Sequence, residues 1–176
     1  MSLRKTNAVF SLISTVLLLG HAISLAVWML SRGNIPKAPD ALPRALTVAF
    51  LIHAILSVIL MISTSKGRKK SAGNHYFKLN RATLIQRVSG ALMIIFTWLH
   101  IAGTVGIMTP PPAVHAVVPT LFFTLVMVHV AISTSKAFIT LGIGNAAFVK
   151  RADLVIKAIC AVTLIADVIG FYLHVC

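Results

Sequence analysis

Five long apolar runs, separated by short polar breaks, take up almost the whole chain. They cover about 8–30, 41–65, 85–107, 116–139 and 152–175. Each reaches the roughly 20 residues that a helix rising 1.5 Å per residue needs to cross a hydrocarbon layer about 30 Å thick. The breaks carry turn chemistry. Ser31 to Asp40 is rich in Gly and Pro, with Asp40 placed to cap the second helix ahead of Pro43. Ser65 to Arg81 is polar and basic, Thr109-Pro110-Pro111-Pro112 is a stiff uncharged turn, and Gly142 to Arg151 is a short polar link. The pattern predicts an all-α protein, a single transmembrane domain over residues 1–176 built as a five-helix bundle.

Composition agrees with that reading. Of the 176 residues 58% are hydrophobic and 11% charged, where a soluble domain carries about 25% charged residues. The mean hydropathy is +0.95. The first run follows Arg4 and Lys5 as a signal peptide's would. At about 23 residues, however, it exceeds a signal's apolar core of roughly 7–15 and is read as a retained helix. The two cysteines, Cys160 and Cys176, lie in or just beyond the last run, too far apart on one helix for a mutual disulfide.

The net charge of +13 does not point to nucleic acid, because the basic residues occupy the gaps between apolar runs instead of one solvated face. With the N-terminus inside, the inner side collects Arg4, Lys5, Lys66, Arg68, Lys69, Lys70, Lys78, Arg81, Arg87, Lys136, Lys150, Arg151 and Lys157. The outer side holds only Arg32, Lys37 and Arg44. This asymmetry puts the C-terminus outside.

Ionisable groups within a bilayer are costly and mark function. His21, His53, His100 and His129 fall one in each of the first four runs. Counted from the run ends, His21 and His100 lie roughly 20 Å from the inner side, and His53 and His129 roughly 20 Å from the outer side. Two pairs at two depths suit two stacked haems, each held by an imidazole on either face of its iron. Zinc would want four ligands converging on one point, and a proton relay would want carboxylates among the histidines. A haem-free histidine-dependent transporter stays as the alternative from another class. His75 and His115 are placed in loops and His174 at the outer end of the last helix, as solvated or interfacial side chains.

Gln86-Arg87-Val88-Ser89-Gly90, followed by Phe96 and His100, resembles the third helix of the single-chain diheme cytochrome b subunit of succinate dehydrogenases and fumarate reductases. The similarity extends to Ile52-His53-Ala54, to Tyr76-Phe77, and to His129 with Gly142-Ile143, with His21 at the remaining ligand position. It covers all five spans and thins in the outer loops and the fifth helix. The resemblance implies two haem b groups, the outer between His21 and His100 and the inner between His53 and His129. It also implies a flavoprotein and an iron–sulfur partner on the inner face of the cytoplasmic membrane, with electron exchange with a quinone, commonly menaquinone. Succinate and fumarate chemistry would then reside in the flavoprotein. A diheme cytochrome b serving another dehydrogenase, such as a hydrogenase, is the nearest competing reading.

Three further groups are candidate site residues. Lys136 lies two turns inward of His129 on the same face, and Arg87 at the inner end of the third helix; both are candidates for haem propionates or a quinone. Small residues, Ser89, Gly90, Thr97, Gly103 and Thr104, follow the ligand face of the third helix and would let a flat macrocycle approach. Asp167 is the sole carboxylate within a span. It continues a stripe of Cys160, Thr163, Gly170 and His174 that would face the bundle, and it is the candidate proton acceptor for a quinol near the outer haem.

Overall fold

A computed structural model describes residues 2–69, 81–104, 106–107 and 112–175. They form five helices: α1 (Leu3–Leu30), α2 (Ala41–Lys69), α3 (Arg81–Thr104), α4 (Pro112–Leu141) and α5 (Ala146–Val175). All five are long and apolar enough to cross a membrane. The protein is thus an all-α chain of multi-pass membrane type.

The helix bounds differ from the hydropathy pattern where capping chemistry overrides it. α1 starts at Leu3 because the Ser2 hydroxyl accepts from Lys5 N. α5 starts at Ala146, six residues ahead of its apolar run, because the Asn145 side chain accepts from Phe148 N at 2.9 Å. The stretch 146–151 is therefore helix, not link. α3 begins at Arg81 and ends at Thr104, three residues earlier than expected. There Gly106 at φ 75° lets Ile107 N reach back to the carbonyl of Ala102. α4 closes in the same way through Gly142 at φ 72°, with Ile143 N on Phe138 O. This wrap-back satisfies carbonyls that a helix end otherwise strands. α4 also begins earlier, at Pro112, so His115 belongs to its first turns and not to a loop, and Pro119 falls inside the helix. The expected loop with His75, Tyr76, Phe77 and Lys78, and likewise Cys176, lies outside the described residues.

Helices consecutive in the chain run antiparallel. Asn7 meets Ser57 and Gly20 meets Leu42 across α1 and α2. Lys136 meets Gln86, and the rings of His100 and Phe122 stack, across α3 and α4. α1 and α4 form the spine, and α5 packs against both. α2 leans on α1 and α3 on α4, and among the described residues α2 and α3 do not pack closely on one another. Burial follows this plan. Only 6% of the apolar stretch of α2 and 11% of that of α3 is buried, against 28% in α1 and α4. The two outlying helices are walls around a space, not part of a solid core.

The core proper lies between α1, α4 and α5, where Ala22, Val126, Met127, Val130 and Cys160 pack with Met93 of α3. Of the stripe expected on α5, Cys160, Thr163, Asp167 and Gly170 are buried, and the side chain of His174 lies outside the described residues. At Gly170 a Cβ would come within 3.0 Å of the Met29 Cβ, so the glycine sets how closely α5 approaches α1.

Candidate functional site

The walls enclose a cavity of about 1070 Å³ whose lining comes from α1, α2, α3, α4 and the α1–α2 loop, with none from α5. That volume exceeds the roughly 300–1,000 Å³ of an ordinary small-molecule pocket. His21, His53, His100 and His129 all line it, and none points away from the bundle.

Taking the end where α1 begins as basal and the opposite end as apical, the helix contacts fix the heights. Asn7 of α1 bonds Ser57 of α2. His53 therefore stands one turn above that level and His21 fourteen residues above it, a separation on the order of 15 Å. On the other side Gly90 of α3 touches His129 of α4, and His100 is ten residues higher, again about 15 Å. The electrostatic neighbours follow these heights: His100 lies within reach of His21, and His129 within reach of His53. No group of three or more His, Cys, Asp or Glu among the described residues converges as a metal cluster would.

The basal pair is the more constrained. Ser89 Oγ has one proton and donates it to the Gln86 carbonyl at 3.2 Å. Its 3.0 Å contact with His129 then runs from Nδ1–H of the imidazole to Ser89 Oγ. Nε2 is left with the lone pair, the form in which histidine binds a metal. Gly90 supplies the clearance: a Cβ there would stand 3.0 Å from Cε1 and 3.4 Å from Nδ1 of the His129 ring. Opposite, His53 Nδ1 is buried with no hydrogen-bond partner among the described residues, an orphan of the kind that a bound group resolves. In the apical pair the His100 ring stacks on Phe122 with centroids 5.1 Å apart, which holds its plane.

Of the other candidates, Lys136 lines the cavity and its Nζ donates to Gln86 Oε1 at 2.6 Å and Thr83 Oγ1 at 3.4 Å. Both acceptors are neutral, so its charge is uncompensated. Arg87 borders the same mouth and lies within electrostatic reach of Lys136. Ser89 serves the His129 ring and not the mouth where Lys136 and Arg87 stand. Thr97 lines the cavity, whereas a Cβ at Gly103 would meet no atom of the described residues within 4 Å. Asp167 is 1% exposed, with both carboxylate oxygens lacking a partner among the described residues. It is buried on α5, which packs on α1 and α4 but adds nothing to the cavity lining.

Sequence reasoning missed the role of Gln86 as the acceptor for Lys136, the phenyl support of Phe122, and the cavity positions of Arg4, Lys37 and Arg44. For Phe122 a signal existed: it lies seven residues from His129, on the same face of α4. The chain matches no family model, no curated protein and no solved structure.

Proposed function

We propose that the chain is the diheme cytochrome b anchor of a succinate:quinone oxidoreductase, passing electrons between an iron–sulfur subunit and a membrane quinone, with menaquinone the expected type. The observation that carries this is that four histidines line one cavity at two heights, one from each of its four helices. The assignment to this enzyme, rather than to another membrane dehydrogenase, rests on the Gln86-to-Gly90 segment ahead of His100 and on the order of the four histidines. The proposed orientation has the basal end inside the cytoplasmic membrane, where most of the basic residues lie.

Haem, when bound, would supply reversible one-electron chemistry at each height. The chain's own residues do the rest. His53 and His129 would hold the inner iron, with Ser89 fixing the His129 tautomer and Gly90 admitting its ring. His21 and His100 would hold the outer iron, with Phe122 steadying His100. Lys136 and Arg87 present uncompensated positive charge to the carboxylates of the inner group, or to a quinone beside the iron–sulfur partner. The apolar walls keep water from the path between the two levels. Asp167 would be the proton acceptor for a quinol near the outer haem, although it is buried on α5 outside the cavity lining.

The complex itself tests the assignment. A tagged chain taken from native membranes should bring down a flavoprotein and an iron–sulfur protein together with succinate:quinone reductase activity. Capture of hydrogenase subunits instead would reassign it. Replacing Asp167 by Asn, a near-isosteric change, should abolish quinol oxidation by the purified complex while both haems remain. Full activity in that variant would remove Asp167 from the proton path.

A further inference from the structure

The apical mouth of the cavity carries its own cations, Lys37 and Arg44, with Asp40 beside them. Among the described residues neither cation is within ion-pairing distance of a carboxylate, the sole ion pair being Lys157 with Asp153. Lys37 is also held in place. Its Nζ sits 3.7 Å from the centroid of the Trp28 ring, a cation–π contact. The loop that bears it is tied down by Ala38 N donating to Ser24 Oγ at 3.2 Å.

Trp28 stands seven residues beyond His21 on α1, and Lys136 stands seven residues beyond His129 on α4. Seven residues are two turns, about 10.5 Å along the axis and back on the same face. Each of these histidines therefore has a fixed ammonium two turns nearer its own end of the cavity. One is borne by the helix itself, the other is parked on an indole that the helix presents. A flat ligand held at its centre by the imidazole and carrying acidic arms at its rim meets positive charge at that offset.

Resting on the diheme reading, we infer that Lys37, seated on Trp28 and seconded by Arg44, binds the propionate carboxylates of the outer haem, as Lys136 does for the inner one. A cation beside a haem favours the form holding one more electron, so its loss lowers that haem's midpoint potential.

The test is a redox titration of the purified complex with Lys37→Gln, Arg44→Gln and Trp28→Leu. Both haems should remain bound in Lys37→Gln, and the centre whose signal vanishes in His21→Ala should become harder to reduce. The expected change is threefold to tenfold in the oxidised-to-reduced equilibrium, tenfold being 59 mV for one electron. Arg44→Gln and Trp28→Leu should give smaller shifts in the same direction, and Lys37→Arg should restore the potential. Two haems with unchanged potentials in Lys37→Gln would overturn the inference and leave the diheme reading standing. A raised KM for quinol with unchanged potentials would likewise overturn it and hand Lys37 to the quinone. Absence of haem from the unmodified complex would remove the diheme reading itself.

Discussion

Replacing His129 by alanine should leave the purified protein with one haem where the unmodified chain has two. The effect should fall on that centre alone, because His53 would be left as its single protein ligand. The fold has reason to survive the change. Ser89 keeps its own acceptor at the Gln86 carbonyl, and the α4 segment around position 129 stays tied to α1 and α5 by Val126, Met127 and Val130. The second haem, held by His21 and His100 about 15 Å away along the helices, should stay with its spectrum intact. His75→Ala, changing a histidine outside the four, should keep both haems. Pyridine haemochrome stoichiometry on detergent-purified protein reads the result directly. Two haems with unchanged low-spin spectra in His129→Ala would mean that His129 is not an iron ligand.

Gly90 gives the second large effect, from a residue with no chemistry of its own. A leucine there needs space already filled by the His129 ring, since even a Cβ would stand 3.0 Å from its Cε1. Overpacking of this kind costs about 1–3 kcal/mol where neighbours can move. Here the neighbour that moves is the proposed ligand, which also loses its contact with Ser89. Gly90→Leu should therefore abolish binding of the inner haem and keep the outer one. Gly103→Leu on the same helix, where a Cβ would meet no atom of the described residues within 4 Å, should keep both. Haem content of the two variants side by side separates a local clash from a general intolerance of leucine on α3.

Much of this architecture is legible in the residues because a bilayer leaves few options. A run of about 20 apolar residues has little choice but to form a helix, and the costly histidines stand out against it. The buried stripe of α5 was equally readable, since Cys160, Thr163, Asp167 and Gly170 recur at helical spacing. Helix ends were less so. Hydropathy reports where lipid begins, whereas Ser2, Asn145, Gly106 and Gly142 decide where the backbone stops being helical, and α5 extends past its apolar run for that reason. The site divided similarly. Periodicity identifies Lys136, which shares a helix with its histidine. It says nothing of Lys37, which reaches the same relative position through a loop and a tryptophan. Asp167 is buried as its spacing implies, yet only the packing of α5 behind α1 and α4 shows that it stands outside the cavity wall.

The most direct trial of the account is a dithionite-reduced minus oxidised spectrum of the purified chain, with haem and protein quantified on the same sample. Two haem b per polypeptide, with a resolved α-band, is the predicted outcome. A chain that purifies folded with no α-band would contradict it, and so would one that binds a single haem, since the four histidines would then not be working as two pairs.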